Sequence, residues 1–325
     1  RQSNVQVQPA RSMSDDALAA STAHFVKDMG VLLIGVDGEL QWLDAETLEP
    51  RSDSFRPFPS PITRSIVIED SLIGFWVEHD ILAARMACIP LDRVFAQGVN
   101  KSTVRASMHP GSEYDGPVDV AGARWSHVLD AEPLGLTELA GGIAFALWKR
   151  GVYCIGLDAE EIWRRPQMGW MELEGIPRGE EISGMHEVGD ELYLWSRAGG
   201  WARLSADEGE TLEMGTIEAP ASITDTFHSP EGGWLLCTNR GHLLRFKDPI
   251  GDEITVVDVG GPVSAALWDE EDRSWRMCGW REDLIWGDEG MMRFERDELG
   301  VQILQQGKNW QILENLGNWS EFKKK

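Results

Sequence analysis

The stretch from Ala221 to Asp288 reads twice, and this repetition constrains the fold more than any other feature of the chain. SITDTFHSPEGGWLLCTNRGHLLRF begins at Ser222, and PVSAALWDEEDRSWRMCGWREDLIWG begins at Pro262. Ile223 matches Val263, forty residues on (263 − 223), while Trp234 matches Trp275 and Cys237 matches Cys278, each forty-one on. Each copy has an alternating apolar run, an acidic or Gly-rich turn, a second apolar run, a tight turn and a third run. Alternation with period two marks a strand, so each copy is an antiparallel meander. A single meander cannot bury its apolar faces alone, and a repeat of about forty residues is the length of a propeller blade stacked on its neighbours.

The same pattern extends outward from this pair. Units start near 22, 62, 103, 136, 182, 223 and 263, which predicts an all-β chain forming one seven-bladed propeller. Asp37-Gly38 between two apolar runs is a hairpin signal. Proline, which lacks an N–H, precedes several first strands at Pro61, Pro220 and Pro262. Leu-Asp-Ala-Glu is read as the end of a third strand at Leu43–Glu46, Leu129–Glu132 and Leu157–Glu160, but the last two copies lie only 28 residues apart (157 − 129). The alternative is therefore six blades with an insertion at about 93–134. Fourth strands are expected at Trp170–Leu173, Leu212–Ile217 and Ile254–Val259. Residues 1–20 form an N-terminal extension in which Asn4–Pro9 could add a strand and Ser14–Asp16 could cap a helical turn. Residues 21–304 are the propeller, and residues 305–325 a C-terminal tail with apolar residues at helix-like spacing.

These meanders resemble WD40-like propellers, and GVYCIGLDAEEIWRRP looks like a repeat of the quinoprotein-like propellers. The resemblance spans about residues 20–300. It implies a ring of blades around a channel, used as a rigid binding platform. Ser205–Leu212 resembles the Asp-box of sialidase-type propellers, with Leu212 in place of the aromatic; by itself it reads as a polar turn capped by its own Ser and Asp.

The net charge of −24 argues against nucleic-acid binding, which needs Lys and Arg against phosphate. No run reaches the ~18 apolar residues of a membrane span. No secretory signal is visible, although the chain starts at Arg1 without Met, so a trimmed N-terminus could hide one and export stays open; lone cysteines favour a reducing, cytoplasmic setting, and a soluble monomer is expected. Cys88, Cys154, Cys237 and Cys278 sit singly in separate apolar runs, so buried free thiols are expected. The seven His are scattered at no metal-ligand spacing, and no phosphate loop or nucleophile elbow appears; no cofactor or metal is called for.

One pattern stands out against the acidity. In an up-and-down blade, first and third turns share one face, and these carry carboxylates here, as in Glu270-Glu271-Asp272 and Asp207-Glu208. Second turns share the other face with the links between blades, and four successive units place Arg150, Arg197, Arg240 and Arg281 there. Arg at a hairpin tip is ordinarily a solvated residue. Four in series suggest a basic crescent that receives an acidic peptide or another anion. A non-catalytic interaction platform, scaffold or adaptor, is thus expected. A basic partner would take the acidic face. The alternative is a glycosidase- or lyase-type enzyme working on an anionic substrate at the channel mouth.

Overall fold

The computed structural model describes residues 17–323 apart from Pro110, Ser112 and Asp115. Among these residues the strands form seven antiparallel sheets, five of four strands and two of three. The blades span residues 20–43, 62–128, 133–165, 182–216, 223–258, 263–295 and 300–321. Their innermost strands are Ala20–Val26, Ile62–Ile68, Pro133–Leu139, Ile182–Val188, Ile223–Ser229, Val263–Asp269 and Gly300–Gln306. These pack side by side around a channel, the first against the seventh. The second strands are covered on both faces by neighbouring blades, so Gly30–Gly35, Gly142–Leu147, Gly233–Thr238 and Ser274–Gly279 are buried throughout. They therefore read as continuous apolar runs rather than alternating ones. Outer strands such as Thr211–Thr216 are largely exposed.

Two main-chain devices recur in every blade. The residue leaving the second strand donates its N–H to the link just before the same blade's innermost strand. The pairs are Val36 to Ala19, Val77 to Pro61, Trp148 to Glu132, Arg197 to Glu181, Asn239 to Ser222, Trp280 to Pro262 and Asn315 to Leu299, at 2.8–3.1 Å. Each innermost strand also carries a bulge at its second residue: Ser21, Thr63, Leu134, Ser183, Thr224, Ser264 and Val301. A bulge disrupts the local ladder. In three blades the bulged hydroxyl donates to the facing strand, from Thr63 to Phe75 O, Ser183 to Trp195 O and Thr224 to Cys237 O.

The seven-blade ring is as expected, but two of its parts come from elsewhere in the chain. No blade starts at 103. Residues 91–124 are an excursion between the third and fourth strands of the second blade, and they contain the helix Lys101–Ser107, whose first turn is capped by the Asn100 side chain. Phe95, Val104 and Val120 from this excursion bury against Trp42 and Phe58. The copy Leu129–Glu132 therefore follows a fourth strand, Trp125–Val128, and forms the next link, which explains the short 28-residue spacing. Trp170–Leu173 is not a strand; Met171–Leu173 is a 3-10 turn, and the Trp170 indole donates to Trp201 O at 3.0 Å between blades. The other two fourth strands lie at Thr211–Thr216 and Thr255–Asp258. The features read in Asn4–Pro9 and Ser14–Asp16 lie outside the described residues.

The seventh blade is built from Gly300–Gln306 and the segment expected to be a tail, as Asn309–Glu314 and Trp319–Glu321. Two buried arginines of the sixth blade and its link hold it. Arg296 makes a bidentate pair with the fully buried Asp283 (2.8 Å each) and reaches Glu314 Oε1 at 2.8 Å and Ser320 Oγ at 2.6 Å. Arg276, paired with Asp269, lies over Trp310 and Phe322. A charge this deep needs its partner. Replacing Arg296 with Met strands Asp283, and is expected to lower stability by about 3–5 kcal/mol in a denaturant series; a loss under half a unit would show that the seventh blade is held otherwise.

Trp234 and Trp275 occupy the same position of neighbouring second strands, as do Cys237 and Cys278. Trp234 is 2% exposed and meets Trp195, Tyr193, His186 and His228. Trp234→Ala is expected to cost about 3–5 kcal/mol. All four cysteines are buried and free, and burial pushes the Cys154 thiol up to about 11. Thiol-specific labelling of the native protein should accordingly be slow, and should accelerate only as denaturant unfolds it.

Candidate functional site: the channel and its two faces

The third residues of six innermost strands form a girdle in the channel, Thr22, Arg64, Gly135, Gly184, Asp225 and Gln302, while that of the sixth blade, Ala265, packs into the core and Ser264 lines the channel instead. Two successive blades contribute glycine. A Cβ at Gly135 would lie 2.4 Å from Met185 Sδ, and one at Gly184 would lie 1.8 Å from Thr226 Oγ1, so these strands approach more closely than any side chain permits. Across the space left by the two glycines, Arg64 of the second blade faces Asp225 of the fifth at 3.8 Å. Thr22 donates to Gln302 at 3.3 Å on the opposite arc. The channel cavity here is about 330 Å³. It continues into a mouth of about 300 Å³ lined by Thr63, Arg64, His79, Glu132, Glu181 and Arg197. Burial raises the Asp225 carboxyl above its ordinary range, with Arg64 acting against that rise.

Just beyond the girdle, two inter-blade hydrogen bonds are made by histidines. His24 Nε2 and Ser65 Oγ lie 2.7 Å apart, as do His186 Nε2 and Thr226 Oγ1. Both join the fifth residue of one innermost strand to the fourth of the next. Burial lowers both imidazoles to about 4, aided at His186 by the charges of His228 and Arg64.

The Arg residues expected to form a crescent all lie at second turns. The hydrogen bonds from those turns to the links place them on one face. The structure divides them into two kinds. Arg150 pairs with Asp130 at 3.0 Å, and Arg197 pairs with Glu181 at 3.2 Å while donating to Ser222 Oγ. Both acids come from the links, and Arg178 between them also binds Glu132 and Glu181. Arg240 and Arg281 are exposed and have no ion pair among the described residues. Sequence reasoning missed the link carboxylates, which sit just before innermost strands, and it missed the exposed Trp280 beside Arg281. A Trp directly after an apolar run, inside a turn, was the available signal for the latter.

The tips differ in backbone too. One residue of each second turn is left-handed: Gly38, Leu82, Lys149, Gly199, Gly241, Arg281 and Gly317. Four are glycine, the residue suited to that conformation, and three are not. Leu82 is 86% exposed and stands over a cleft of about 590 Å³ between the second and third blades. The turn Ser205–Glu210 is closed by Ser205, whose Oγ accepts from the Glu210 N–H at 3.1 Å, and it anchors the indole of Trp163 from the preceding blade. The Asp-box likeness is thus a structural turn. Among the described residues no helix is long and apolar enough to cross a membrane, and no cluster of three His, Cys, Asp or Glu could hold a metal ion.

No family model matches this chain, and no curated protein matches it. Solved structures do. The β-propeller domain of Cps50 (Swd1) from Myceliophteria thermophila superposes with a TM-score of 0.64 at 13% identity, covering 92% of this chain and 93% of that one. The likeness is to the WD40 propeller fold. The WD40 domain of Doa1 gives 0.60 at 10% identity over 91% and 89%, and that of Pan2 from Neurospora crassa gives 0.60 at 11% over 95% and 92%. BamB from Moraxella catarrhalis gives 0.55 at 11% over 92% and 83%.

The histidine pairs generate a pH dependence with a definite sign. A base whose folded pKa lies below its unfolded value leaves the unfolded state with more bound protons in between, so stability falls as pH falls. Here the loss runs from about 6.5 down to about 4, and is worth about 3 kcal/mol for each shielded histidine. His186→Gln keeps a donor for Thr226 and removes the titration. The wild-type minus variant difference should therefore shrink by about that amount between neutral pH and the lower limit. A constant difference would show that His186 is not held neutral.

Proposed function

We propose that this chain is a non-catalytic protein-interaction platform, a scaffold or adaptor subunit, which docks partners on the face formed by the second turns and the links. The observation that carries this reading is the set of left-handed tips. The framework beneath them repeats in all seven blades through main-chain bonds, while Leu82, Lys149 and Arg281 stand where glycine serves in the other four. A non-glycine residue pays roughly 1–2 kcal/mol in that conformation. Asp28, Glu69, Ala140 and Arg273 adopt the same conformation at first turns, so it is what the second turns expose on top of this strain, the apolar Leu82 and Trp280 with the cations Lys149 and Arg281, that marks their face for docking. On this reading Arg150, Arg197, Arg240 and Arg281 form a basic crescent for an acidic peptide, and a basic partner takes the face of the first and third turns. A glycosidase-type enzyme would need two carboxyls about 5–10 Å apart; the channel mouth does carry Glu132 and Glu181, but Arg178 engages both and Arg197 engages Glu181 as well, which favours the platform.

The test combines Leu82→Gly, Lys149→Gly and Arg281→Gly. Relief of strain and the greater freedom of the unfolded chain offset each other, so stability should stay within about 1 kcal/mol of wild type. Quantitative affinity capture should show the polypeptides retained by wild type falling at least about tenfold on the variant, a change of roughly 1.4 kcal/mol. An unchanged capture profile would remove this face as the docking surface.

A further inference from the structure

We infer that the docking centre lies over the fifth and sixth blades, at Trp280, Arg281 and Arg240, and that it takes an acidic segment of a partner protein carrying an apolar side chain. This rests on the platform reading and goes further by fixing the place and the chemistry of the occupant.

Three observations converge there. Trp280 is 59% exposed and has no aromatic or cation–π partner among the described residues. The other tryptophans of this region are used internally: Trp275 is 1% exposed, and Trp268 and Trp286 flank Arg245. Next, the link Gly260-Gly261 brings Trp280 and the Arg240 tip together. A Cβ at Gly241 would fall 2.4 Å from the Gly261 amide nitrogen, and one at Gly261 would fall 2.6 Å from Trp280 Cβ. The tip carrying Arg240 therefore abuts the link, and Trp280 lies against the same link at Gly261. Any side chain at Gly261 would push the indole away. Finally, the two guanidiniums are the members of the crescent left without a carboxylate, although acids outnumber bases 54 to 30 in the chain.

These features specify the ligand. An exposed indole offers a large apolar surface at small entropic cost, and Trp and Arg are the residue types that dominate interface energetics. Arg donates two parallel hydrogen bonds to a carboxylate. Two unpaired Arg flanking one Trp match a short segment in which Asp or Glu residues bracket a Leu, Met or aromatic residue. The wider negative field repels such a segment at a distance, so its binding is short-ranged and its rate of association unremarkable. At the third and fourth blades the link acids Asp130, Glu132 and Glu181 already occupy the places that partner carboxylates would take.

The test is to pan a phage-displayed random peptide library on the intact protein and to measure synthetic, fluorescein-labelled forms of the recovered peptides by polarisation. Acidic peptides with one apolar residue should be enriched. Their affinity should fall at least about tenfold on Trp280→Ala and on Arg240→Glu combined with Arg281→Glu, fall less on Trp280→Phe, and remain on Arg164→Glu, an exposed position on the outer strand of the third blade. All these side chains are exposed, and a circular dichroism melt should be unchanged. Recovery of basic peptides, or of acidic peptides that bind the variants as they bind wild type, would overturn this site and leave the platform standing. Failure to enrich any peptide over an unrelated control would count against both.

Discussion

The structure depends on a main-chain hydrogen bond made seven times, from the residue that leaves each second strand to the link that enters the same blade. It sets the depth at which each innermost strand begins, and with the bulge one residue further on it sets which side chains reach the channel. Neither device needs a particular side chain. A ring specified by backbone geometry can therefore be shared in fold at 10–13% identity with the propeller domains of Swd1, Doa1 and Pan2. It also leaves the tips free to diverge, so the second turns, rather than the framework, are where this molecule differs from blade to blade.

Where side chains do enter the framework, they come as matched pairs. Fifth and fourth residues of adjacent innermost strands meet between blades. Where the fifth is His24 or His186, its neighbour is Ser65 or Thr226. The same register elsewhere brings Ile66 to Leu136 and Phe227 to Ala266, all apolar. A buried imidazole without an acceptor or donor would cost more than either arrangement. Glycine plays the complementary part at Gly135 and Gly184, where the absence of a side chain lets two strands close in and opens the path from Arg64 to Asp225.

Much of the ring was legible because the second strands are buried on both faces and turn residues punctuate them. Blades four to six read clearly, since Gly199, Gly241 and paired acids mark their turns. The seventh blade was hidden for a physical reason. Trp310, Ile312, Leu313 and Trp319 come from two short strands around Gly317, with Leu316 in the turn and Phe322 just past the second strand, and a strand–turn–strand of that length mimics helical spacing. Its anchors, Arg276 and Arg296, were invisible because arginine is ordinarily a surface residue and burial is set by partners distant in the chain. The excursion at 91–124 was foreseen as one alternative, but its consequence, a fourth strand arriving more than thirty residues late, was not. At the site, the four Arg tips were legible. Their division into two neutralised and two unpaired members was not, because it depends on link carboxylates brought near only by the ring.

The seam between the first and seventh blades differs in kind from the six other joints. Adjacent blades elsewhere are tethered by their links, whereas the seam joins Thr22 to Gln302, 280 residues apart, and Ala20 N–H to Asn315 O at 3.0 Å. Bringing the ends of so long a loop together costs about 5 kcal/mol of chain entropy. Leu304 and Leu313, packed against Ala20, Ala23 and Val31, must offset that cost. The molecule is in effect a clasped bracelet rather than a seamless band. When thermal motion parts two blades, tethered ones find each other again at once, and the clasp is the joint that can stay open long enough to matter.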